Sequence, residues 1–178
     1  NLNIIDGFPR ILNFDRISVM KDFQKDILEF WFNEIQPKQW FQVSEALDAA
    51  IVERFNEPYE MAARGEFDEW KNNADGALAL CILLDQMPRN MFRATPKAFA
   101  TDGKALVIAK FAISKGLDQV LSSQKRRFLY LPFEHSENMN DQRRSLELFE
   151  KERLYIIACP QCPHSSLGKE TQKIIERS

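Results

Sequence analysis

Apolar residues recur every three or four positions along most of this chain, which is the period of an amphipathic helix rather than of a strand. Met20, Phe23, Ile27, Phe30, Trp31 and Ile35 fall on one stripe, with Ser18 placed to cap its start and Pro37 to end it. A second helix opens at Ser44 and carries Leu47, Ile51, Phe55, Tyr59 and Ala62 as far as Gly65, and Pro58 within it is expected to kink or split it. A third runs from about Ala74 to Gln86. Its stretch Ala77 to Leu84 is apolar on every face, so it should be buried all round and central. A fourth starts at Thr101 or Asp102, presents Leu106, Ala109 and Ile113, and stops at Gly116. The fifth is expected over about 123–136 and the sixth from about Asn140, fading after Arg153.

The fold class that follows is all-α, with no confident strand and short connections between antiparallel helices, either a bundle or a solenoid of helix pairs. No fixed-period repeat is present. One helical domain over 1–178 is expected, with an irregular lead at 1–16, a helical body at 17–153 and an atypical tail at 154–178.

Composition narrows the function classes. Of the aromatic residues 14 are Phe, against 3 Trp and 3 Tyr, which implies large rings wedged between helices. The net charge of −2 lacks the basic excess of a nucleic-acid binder, and Lys125-Arg126-Arg127 reads as a solvated helix face. The run Ala77 to Leu84 is far shorter than the ~20 residues that span a bilayer, so no membrane partner is expected. The lead holds Asp6 and Pro9 and lacks the basic-then-apolar order of a signal peptide; the first residue, Asn1, fits a fragment or a processed or trimmed chain. An odd count of 3 Cys argues for reduced thiols and a cytoplasmic setting.

The candidate chemistry begins where the buried helix ends, at Asp85-Gln86-Met87-Pro88-Arg89-Asn90. Asp85 and Arg89 share a helix face, as do Gln86 and Asn90. Polar groups placed directly after eight apolar residues must be paired where they are buried. One reading is an Asp85–Arg89 ion pair that caps the core and braces Pro88. The other is a pocket floor on which Arg89 or Arg93 holds an anionic ligand. His135 sits on the apolar face of the fifth helix, with Glu137, Asp141 and Gln142 close behind it; a carboxylate that orients an imidazole is the minimum for a general base. No Ser, Cys or Thr stands in a nucleophile motif, and no glycine-rich phosphate loop occurs. In the tail, Cys159, Cys162 and His164 supply three zinc-type ligands where a structural site takes four, so a loop with free thiols is the simpler reading. Trp31, Trp40, Phe41 and Trp70 read as core anchors rather than a stacking platform. No cofactor is implied.

Three strings add a resemblance: Leu83 to Arg93, Thr95-Pro96 with Ala98 to Asp102, and Phe128 to Glu137 followed by Asp141-Gln142. In this order, with Leu28 to Phe32 and Trp40-Phe41 before them, they resemble the family catalogued as domain of unknown function 924, over about residues 25–150. The resemblance implies a tetratricopeptide-like all-α superhelix and no assigned activity. The family's recurrent polar positions fall here on Asp85, Gln86, Arg89, Asn90, Arg93, Asp102, His135, Ser136, Glu137, Asp141 and Gln142. The tail departs from the family's usual ending, retaining only Pro163-His164 and Leu167-Gly168. Three functions are therefore open: a helical scaffold that binds an unidentified protein, a small-ligand or hydrolytic site built on Asp85, Arg89, His135 and Asp141, or a zinc or redox site on Cys159 and Cys162.

Overall fold

A computed structural model describes residues 23–158, and every regular element among them is helical. Helix α1 covers residues 23–34 and closes in a π-helical turn over Phe30–Glu34. Helix α2 is Glu45–Ala63. Helix α3 covers 74–91 in three continuous parts: Ala74–Cys81, a π turn over Ile82–Gln86, and Met87–Met91. Helices α4, α5 and α6 are Asp102–Ser114, Ser123–Glu134 and Met139–Ala158. The Ser18 cap, the lead at 1–16 and the Cys159, Cys162, His164 group lie outside the described residues.

The helix starts follow local chemistry. Ser44 accepts the Leu47 N–H at 3.3 Å, Asn73 accepts that of Gly76 at 2.8 Å and Ser122 accepts that of Lys125 at 3.4 Å. Gly116 adopts the left-handed φ of +69° that ends α4. The split that the sequence allows at Pro58 does not occur, and two helix ends lie beyond those expected. Helix α2 runs unbroken through the buried Pro58, helix α3 continues past Pro88 to Met91, and α6 extends beyond Arg153 to Ala158. In the first two cases tertiary packing holds the helix across its proline.

The core forms around α3. Every residue from Ala77 to Leu84 is completely buried, and α3 packs against α2, α4 and α5, with α6 laid along α5. Helix α1 joins through its rings: Phe30 meets Phe55 of α2 at 4.9 Å and Trp31 meets Phe128 of α5 at 5.7 Å, both edge to face. No helix among the described residues is long and apolar enough to cross a membrane.

Candidate functional site

The site is built on the irregular second half of α3. Pro88 has no N–H for the carbonyl of Leu84, and Thr101 replaces it, donating its hydroxyl to Leu84 O at 2.5 Å. Just upstream the helix widens, and the Met87 N–H bonds back to Ile82 O in π register. Asp85 and Gln86 occupy this turn. Asp85 is fully buried, and three side chains meet its charge. His135 Nδ1 lies 2.8 and 3.0 Å from its two oxygens, the Gln86 carboxamide donates to Oδ2, and Arg89 Nη1 lies 3.5 Å from Oδ1.

Arg89 and Arg93 bind this segment to other helices. Arg89 also donates to the Asp85 carbonyl and grips Asp102 at the start of α4 through two bonds of 3.1 and 3.0 Å. Arg93 grips Asp48 in the first turn of α2 in the same way, at 2.7 and 2.8 Å, while Asn90 donates to Asp48 at 2.7 Å. The Arg93 guanidinium holds the Asp48 carboxyl below the usual carboxylate range, with Asn90 assisting and burial opposing.

Above this floor lies a cleft of about 230 Å3, open to solvent. Gln86, Arg89, Asn90, Arg93 and His135 form its polar side. Trp31, Trp40, Phe41, Val43 and Leu131 form its apolar side, where Phe41 and Val43 are 70% and 74% exposed. Trp40 Nε1 donates to Trp31 O at 2.9 Å, tying the connection between α1 and α2 to the π turn of α1. Both π turns therefore border the cleft. Trp31 Nε1 is buried with no acceptor among the described residues.

His135 is the C-cap of α5 rather than a mid-helix residue, because the helix ends at Glu134. Its ring is 25% exposed, and Nε2 has no partner among the described residues. A carboxylate only accepts, so the contact with Asp85 is made by an Nδ1–H, and Nε2 is left without a hydrogen-bond partner among the described residues.

Six sequence candidates thus converge: Asp85, Gln86, Arg89, Asn90, Arg93 and His135. Asp141, Glu137 and Gln142 do not join them. Asp141 accepts from Ser136 Oγ at 3.1 Å and pairs with Lys110 at 2.6 Å, which holds its carboxyl below the usual range. Gln142 donates to Ser136 O at 2.9 Å, and Glu137 is exposed. These groups brace the turn between α5 and α6, so the carboxylate that orients His135 is Asp85, not its sequence neighbour Asp141. Arg89 and Arg93 each hold a carboxylate through two hydrogen bonds. Asp48 carries no sequence signal beyond an acidic residue in a helix's first turn. Arg126 also departs from expectation: it is 12% exposed, bonded to Glu152 at 2.8 Å and to the carbonyls of Asp118 and Leu121. Among the described residues no cluster of His, Cys, Asp or Glu is placed to hold a metal ion. Burial pushes the Cys81 thiol well up, with Asp85 adding to it, so it is protonated and inert.

The family match covers residues 27–177, and with it the divergent tail. The chain belongs to the family of bacterial proteins of unknown function DUF924. A solved structure of a protein of unknown function from Agrobacterium tumefaciens is 40% identical, with a TM-score of 0.72 over 74% of each chain. No curated protein matches. The DUF924 fold is thus established for this chain.

Proposed function

We propose that this DUF924 protein binds a small organic molecule in the cleft between residues 40–43 and helices α3 and α5, and acts on it by acid–base chemistry through His135. One observation carries the reading. A fully buried carboxylate, Asp85, holds Nδ1 of an imidazole that borders a solvent-reachable cleft. A catalytic site needs a base and its orienting group converging at a pocket, and the His135–Asp85 pair beside the cleft supports this reading over that of a protein-binding scaffold. In this reading His135 is the acid–base group, Asp85 orients it, and Gln86, Arg89, Asn90 and Arg93 shape the polar wall.

The test uses the three tryptophans as reporters. Trp31 and Trp40 line the cleft, while Trp70 stacks on Phe67 and is not among the cleft residues. Small organic fragments are titrated while the indole N–H resonances are followed by NMR. Cleft binders move the Trp31 and Trp40 signals and leave Trp70 still. If a chemically broad set moves none of them, or moves Trp70 equally, the cleft is not a ligand site.

A further inference from the structure

The lining of the cleft narrows its ligand. We infer that it accepts an uncharged acyl compound, an ester or lactone with a compact apolar group, and that His135 directs water onto its carbonyl carbon. The inference rests on the small-molecule reading above and adds the substrate class.

Charge argues first. The cations of the wall are Arg89 and Arg93, and each already faces a carboxylate through two hydrogen bonds. With Asp85 counted, two guanidinium groups meet three carboxylates, so no surplus positive charge draws an anion. Yet donors are left over. A carboxamide has two N–H groups, and Gln86 and Asn90 each give one, to Asp85 and Asp48. Arg93 has five and gives two. A wall with spare N–H groups and no net positive charge suits a neutral carbonyl oxygen better than a phosphate or carboxylate.

Size and texture argue next. About 230 Å3 lies below the ~300–1,000 Å3 of pockets that hold drug-sized ligands, so only a compact molecule fits. Trp40, Phe41 and Val43 offer an apolar side to the acyl or alcohol group. No Ser, Thr or Cys is among the described residues that line the cleft, and the attacking group in this inference is water.

The step balances without a further reactant. Water oxygen bonds to the carbonyl carbon as its proton passes to His135 Nε2, and the carbonyl π electrons move onto oxygen, where the spare N–H groups receive them. Collapse of this intermediate breaks the carbon–oxygen ester bond. The departing alkoxide takes the proton back from Nε2, giving an alcohol and a carboxylic acid. Asp85 is a positioning residue, keeping the Nδ1–H tautomer and stabilising the imidazolium.

Three probes test this on the full chain: phenyl acetate as substrate, acetophenone as its unreactive neutral analogue, and benzoate as the anion. Acetophenone is expected to move the Trp31 and Trp40 indole signals more strongly than benzoate does. Phenyl acetate should be hydrolysed above the buffer rate, and His135→Gln should lower that rate by about 10²–10⁴-fold. Asp85→Asn should lower kcat without raising KM, the split expected of a group that acts through the base. Should His135→Gln fail to fold, Val43→Trp, at a 74% exposed position, fills the mouth without touching the core and should abolish both binding and turnover. Turnover that survives either substitution, or tighter binding of benzoate than of acetophenone, overturns the inference. Binding of acetophenone without any hydrolysis overturns it too, while leaving the cleft reading in place. If no probe moves either indole, the inference falls, while the cleft reading stands or falls with the broad fragment set.

Discussion

Gly76 sits in the first turn of α3, where a glycine costs about 1 kcal/mol of helix propensity relative to alanine. Replacement by alanine should therefore stabilise the helix, but the neighbourhood reverses the sign. A Cβ at this position would overlap the Trp70 carbonyl oxygen and come within 2.9 Å of its carbon, and a backbone cannot swing aside as a side chain can. Gly76→Ala is expected to destabilise by about 1–3 kcal/mol, the range for overpacking; a urea midpoint equal to or above the parent's would sink the argument. Nothing in the local sequence announces this, because the obstacle is the 3-10 turn Asp68–Asn72 folded over the helix start. The candidate site was legible to the same limit. Asp85 and His135 stood out because polar groups follow or interrupt apolar runs. The pairing of His135 with Asp85, fifty positions away, was not legible. Nearness in sequence favoured Asp141, and only the packing of α3 against α5 decides between them.

At the level of the element, the six helices follow from apolar periodicity and caps, but the inner geometry of α3 does not. A period near 3.6 cannot reveal a five-residue π turn, nor that Pro88 is accommodated rather than terminal. A single sequence shows the donor that a proline loses and not its replacement, so it predicts a kink or a stop. At Pro88 the replacement is Thr101, seventeen residues on, whose hydroxyl serves the Leu84 carbonyl in a buried setting. Thr101→Val keeps the shape and removes the donor, leaving a buried acceptor unpaired. A loss of about 1–3 kcal/mol is expected, while Thr101→Ser should retain most of the stability. Equal stabilities for the valine and serine variants would show that Leu84 O does not depend on this bond.

Across the whole molecule, the all-α class was readable and the arrangement was not, because helix pairing depends on contacts between distant segments. Charged bridges record those contacts: Arg93, just past the end of α3, holds Asp48 of α2, and Arg89 of α3 holds Asp102 of α4. The first makes stability depend on pH. Arg93 holds the folded-state pKa of Asp48 below its unfolded value of about 3.9, so between those two values the unfolded chain carries a proton that the folded chain does not. Stability therefore rises with pH through that window. The contribution is complete above the unfolded value and is lost as pH falls through the folded one. Removing the carboxylate removes its share of the slope, at most about 1.4 kcal/mol per pH unit for one proton. Asp48→Asn should then be less stable than the parent at pH 7, and the two stability curves should converge as pH falls below about 4. Asp141, lowered by Lys110, keeps a residual acid limb in both proteins, so convergence rather than a flat curve is the expected result. Urea unfolding at a series of pH values measures it, and parallel curves across that range would mean that the bridge between Arg93 and Asp48 contributes nothing to the acid sensitivity of the fold.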